Sequence, residues 1–73
     1  MQRNELKTLQ LIRPTRAAGI LGVHVKTLAR WRRAAKNGGE HKGPGWYDMP
    51  SGAMYDRSEC ERFVMERREG EGR

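Results

Sequence analysis

The sequence predicts a small, mainly α domain carrying one small β-hairpin, in the order helix, tight turn, helix, hairpin, helix. Three observations carry this reading. Residues 14–21 and 25–36 place apolar side chains at helical spacing, with Gly22 between the two stretches. Pro50-Ser51-Gly52 separates two β-prone runs. Ser58-Glu59-Cys60-Glu61 is a capping-box pattern, in which the serine hydroxyl accepts from the Glu61 N–H and the glutamate reaches back.

Residues 1–10, MQRNELKTLQ, are polar with scattered leucines and read as a flexible lead-in. Leu9, Leu11 and Ile12 are placed to pack against the domain edge. Arg13-Pro14 is a boundary, because proline suits a first helical turn, where its missing N–H has no partner to lose. The first helix, PTRAAGIL, carries a stripe of Ala17, Ala18 and Leu21 with Ile20 beside it. Gly19 within it costs roughly 1 kcal/mol against alanine, which predicts the close approach of another helix. Gly22 is suited to end the helix in a left-handed conformation.

On the second helix, 25–36, Leu28, Trp31 and Ala35 share one face, and Lys26, Arg30, Arg33 and Asn37 share the opposite one. Trp31 falls mid-stripe and is expected in the core, with Arg32 on the flank. Asn37-Gly38-Gly39 stops the helix, and a loop runs to Gly45. The hairpin strands are 46–49 and 53–56, whose alternation leaves open whether Trp46 or Tyr47 turns inward. A third helix starts near 59 and buries Cys60, Phe63 and Val64, so Cys60 reads as a small core residue. The domain spans 11–66, and residues 67–73 read as a disordered tail.

A chain of 73 residues makes one domain with a thin core and little room for an enclosed active site. One cysteine excludes an intramolecular disulfide and a cysteine-based zinc site, and His24 and His41 have no ligand spacing. No acid/base pair, nucleophile–base constellation or phosphate loop is present, so no enzyme, metal or cofactor is expected. There is no apolar run of the roughly 20 residues that span a bilayer and no signal-peptide core, which predicts a cytoplasmic protein.

Charge is more informative. The net charge is +6 and the pI about 10.3. Residues 1–12 sum to +1 and 58–73 to −1, so 13–57 carry the remaining +6. Between Glu5 and Glu40 lie eight Lys or Arg and no carboxylate. An ordinary surface helix mixes in acids for i, i+4 pairing, and such an unbroken basic field favours polyanions. Double-stranded DNA is the expected partner, since its major groove, about 12 Å wide, admits one helix. Val25, Lys26, Thr27, Arg30, Arg33 and Asn37 are the candidate groove contacts, the first and third for a thymine methyl or a phosphate. Arg16, His24, Arg32 and Lys36 are candidates for phosphate. Lys42, Ser51 and Gly52 could approach the minor groove or backbone from the hairpin side.

The stretch AAGILGVHVKTLARWRR resembles the winged helix-turn-helix of the MerR-like superfamily, in its small excisionase and AlpA-like branch. Ala17, Ala18, Leu21, Gly22, Val23, Thr27, Leu28, Trp31 and Arg32 stand where that family has its Ala-Ala, Leu-Gly-Val, Thr-Leu and Trp-Arg groups. MYDRSECERFV is similar to the family's strand-to-helix stretch, with Tyr55 on the strand and Phe63 packing back. The resemblance covers residues 11–66 and implies a helix-turn-helix, a two-stranded wing and a C-terminal helix. It further implies an excisionase, or recombination directionality factor. Such proteins bind repeated sites cooperatively, bend DNA and direct a tyrosine integrase toward excision of a phage or integrative element. A monomer in free solution is expected, because no spare apolar stripe is visible. Departures are Arg13-Pro14 where the family often has a Ser or Thr cap, His24 where a serine usually caps the second helix, and a longer 37–45 loop. An AlpA-like transcriptional regulator, a terminase small-subunit DNA-binding domain and a basic protein- or RNA-binding adaptor are the other readings.

Overall fold

The computed structural model describes residues 9–68, so the expected lead-in over 1–8 and tail over 69–73 lie outside the described residues. Its elements are β1 (Leu11–Ile12), α1 (Pro14–Leu21), α2 (Val25–Lys36), β2 (Tyr47–Met49), β3 (Gly52–Asp56) and α3 (Arg57–Glu66). The strands form an antiparallel sheet in the order β1-β3-β2. About half of the described residues are helical, so the mainly α expectation with a small hairpin holds at this level.

Pro14 occupies the first turn of α1, and Gly22 closes it at φ +74°, its N–H donating to the Ala18 carbonyl. The Val23 N–H joins it on the same oxygen at 3.1 Å, which ends the helix sharply and aims the chain into α2. Gly19 is exposed, and nothing lies within 4 Å of where its Cβ would stand, so the expected close approach of a helix is absent. Gly19→Ala is therefore expected to stabilise the domain by roughly 0.5–1 kcal/mol, read as a melting temperature several degrees higher. A fall in that temperature would contradict the open surroundings.

The C-terminus of α2 is satisfied twice: Gly38 N–H donates to Ala35 at 3.1 Å and Gly39 N–H to Ala34 at 2.8 Å, with Gly38 at φ +82°. This is a Schellman closure, and it accounts for the Asn37-Gly38-Gly39 run. The long loop that follows covers Trp31. Gly43 passes so close to the indole that a Cβ there would stand 2.7 Å from its Cε3, and Pro44 is buried. Trp31 is half-buried and packs against the core rather than lying within it.

In the hairpin, Tyr47 pairs with Met54, Asp48 with Ala53 and Met49 with Gly52. Trp46 packs against the core while Tyr47 is exposed, which resolves the open alternation. β1 is an element the sequence reading missed. Leu11 pairs with Asp56 and Ile12 with Tyr55, so what was expected to pack on the edge is itself the edge strand.

The third helix starts two residues earlier than the capping-box pattern predicts. Asp56, not Ser58, is the cap: its carboxylate accepts from the Ser58 N–H at 3.2 Å. Glu61, expected to reach back to the cap, pairs instead with Arg57 at 3.1 Å. A carboxylate satisfies a helix N-terminus as well as a hydroxyl does and adds a favourable charge. Val64 is also displaced from the expected core stripe and is 41% exposed.

The core is Ala17, Ala18, Leu28, Tyr55 and Cys60, contributed by α1, α2, β3 and α3. Burial pushes the Cys60 thiol up to about 11, helped by the Asp56, Glu59 and Glu61 carboxylates, and raises the Tyr55 phenol as well. Both groups hold their protons more tightly when folded than when unfolded. Between pH 9 and about 11 the unfolded thiol ionises while the folded one does not, so stability falls as pH rises through that window. Chemical denaturation across this range should show the decline, and Cys60→Ala should flatten part of it. Among the described residues, no helix is long and apolar enough to cross a membrane.

Candidate nucleic-acid interface

The amphipathic pattern of α2 sets its orientation. Leu28 is buried against Tyr55 and the alanines of α1, with Val25, Trp31 and Ala35 partly covered on the same side. Lys26, Arg30, Arg33 and Asn37 occupy the opposite side and are all exposed. Arg16 on α1 is exposed too. None of Arg16, Lys26, Arg30 and Arg33 has a carboxylate within 4 Å among the described residues. Such charges are hydrated but uncompensated, and phosphate oxygens satisfy them at little desolvation cost.

Three candidates have other employment. Val25, expected to touch a thymine methyl or a phosphate, is half-buried against the core instead. Arg32, expected on phosphate, is half-buried, with a guanidinium nitrogen donating to Tyr55 Oη at 2.9 Å and its carbon 5.8 Å from the ring centroid. It ties α2 to the sheet, and the reason is its wheel position, turned toward the apolar side. Lys36 is exposed and faces Asp48 of β2 at 3.8 Å.

His24 caps α2. Its Nδ1 accepts from the Lys26 N–H at 3.1 Å, so the imidazole takes the serine's place. That bond requires a lone pair on Nδ1 and directs the Nε2 side outward, next to the exposed start of the basic face. Thr27 is half-buried beside it.

On the hairpin side, Lys42 is exposed in the loop, and Ser51 and Gly52 are exposed at the tip. Gly52 has φ +119°, a backbone conformation other residues rarely adopt. Asp48 links this side to α2: one carboxylate oxygen accepts from Trp46 Nε1–H at 3.0 Å, and the other faces Lys36. Trp46 in turn stacks on His41 with centroids 6.4 Å apart. Asp48 and Tyr55 are thus the residues behind the interface that spacing alone did not single out. The signal available was their chemistry, an acid and a phenol on strands facing a basic helix.

Among the described residues no cluster of His, Cys, Asp and Glu is arranged to hold a metal ion. Comparison with protein-family profiles, with curated proteins and with solved structures gives no match.

Proposed function

We propose that the chain is a sequence-specific double-stranded DNA-binding protein that uses α2 as its probe and the β2–β3 hairpin as a wing, a winged helix-turn-helix. The observation that carries this is the exposed side of α2, where Lys26, Arg30 and Arg33 stand without acidic partners, directly opposite the buried Leu28 seam. The helix order, the sharp turn at Gly22 and the hairpin are compatible with it.

Within that class the resemblance of residues 11–66 favours an excisionase. Several copies would bind repeated sites cooperatively, bend the duplex and direct a tyrosine integrase toward excision. Bending a few tens of base pairs costs on the order of several kcal/mol, which copies acting together supply more readily than one small domain.

The test is binding to duplex DNA as a function of salt. Three to five phosphate contacts give a slope near −3 to −5, or a loss of roughly 10²–10³ in affinity between about 50 and 200 mM salt. A flat salt dependence defeats the DNA reading and favours a protein partner. On natural target DNA, several adjacent footprints with bend-altered gel mobility support the excisionase, whereas one unbent operator supports an AlpA-like regulator.

A further inference from the structure

The sheet has a second face. Opposed residues of antiparallel strands share a side, so Tyr47, Met54, Met49 and Leu11 lie together, away from the side on which Tyr55 and Ile12 enter the core. This outer side is apolar and open. Tyr47 and Met49 are each 41% exposed, Met54 and Leu11 are half-buried, and exposed Leu9 lies just before β1. Its one charged strand residue, Asp56, has its carboxylate engaged by the Ser58 N–H.

We propose that this face docks a second copy of the same chain, sheet against sheet. A two-fold contact sets each residue near its own equivalents, so the face must carry little charge. This one meets that condition. The other exposed apolar patch, Val64 and Met65 beside Ile20 and Leu21, is bordered by Glu61, Arg67 and Arg68, which a two-fold contact would set against their own kind. The net charge of +6 opposes any approach of two copies. It opposes this contact least, because the basic side of α2 points away from the sheet that α2 packs on.

The size of the face sets the strength. It offers on the order of 300 Å² of apolar surface, the scale at which a patch on a small protein marks an interaction site. Stable free dimers bury about 800 Å² per partner. The contact is therefore weak in dilute solution, compatible with a monomer there, although the premise that no apolar surface is spare does not hold. Docked this way, the two α2 basic sides face outward in opposite directions, so the pair holds two stretches of duplex. That last arrangement rests on the DNA reading; the docking face does not.

Sedimentation equilibrium of the full chain without DNA, from roughly ten micromolar to about one millimolar, tests the face. The mass is expected to rise from 8.4 kDa toward twice that value. Tyr47→Thr/Met49→Thr, which keeps strand propensity and charge, should stay monomeric with an unchanged melting temperature, and Met65→Gln should associate like the wild type. A wild type that is monomeric throughout, or a double variant that associates equally well, overturns the proposal. In a second arm, bead-bound duplex should capture a labelled second duplex through the wild type but not through the double variant, with equal single-duplex affinities. Single-duplex binding without capture overturns the back-to-back arrangement. If neither protein binds one duplex, the DNA reading falls, and sedimentation still decides the face.

Discussion

Tyr55→Ala is expected to leave the domain unfolded at room temperature. Tyr55 is the largest fully buried side chain, 1% exposed, and it touches the cores of three helices while pairing with Ile12 in the sheet. Removing such a ring costs roughly 3–5 kcal/mol in lost transfer energy and cavity. A single core in a chain of this length supplies about that much stability in total. Far-UV circular dichroism and a thermal melt read the result directly. Tyr55→Phe separates packing from the polar contact: it keeps the ring and deletes only the acceptor for Arg32, at a cost of about 1–2 kcal/mol. A folded, cooperatively melting Tyr55→Ala protein would mean that the core is not organised around this residue.

The second large effect is on binding. Arg30→Ala and Arg33→Ala are each expected to weaken duplex binding by roughly 1–3 kcal/mol, about 5- to 150-fold, with little change in melting temperature. Both side chains are exposed and unpaired among the described residues, so their removal takes nothing from the fold. Arg32→Ala should behave in the opposite manner, lowering the melting temperature through the lost Tyr55 bond. Footprints unchanged in both the Arg30 and Arg33 variants would remove α2 from the role of probe.

Much of this was legible from residue order. Gly22 and the Asn37-Gly38-Gly39 run fix helix ends by local backbone chemistry, and local chemistry is what a sequence displays. The two sides of α2 follow from a 3.6-residue period, so Lys26, Arg30 and Arg33 could be placed outward in advance. What escaped was non-local. β1 is two residues long, too short for any period, and exists only because β3 offers it an edge. The Asp56 cap was overlooked because a serine two residues on fitted a stronger local pattern, and only the strand running straight into the helix decides between them. Arg32 looks like any other cation until Tyr55 is brought beside it from 23 residues away. Gly19 is the converse case, a local signal for a neighbour that the fold does not supply.

The pairing of Leu11 with Asp56, and of Arg57 N–H with the Gln10 carbonyl at 2.9 Å, closes the chain on itself around both α1 and α2. On a ribosome the basic helix emerges early, but Tyr55 and Cys60, against which its apolar side is secured, arrive near the end of synthesis. A nascent or truncated chain that stops before β3 holds the cations without the scaffold that aims them. Its attraction to nucleic acid would be general and its shape undefined, so specificity is acquired only when the last quarter of the message has been read.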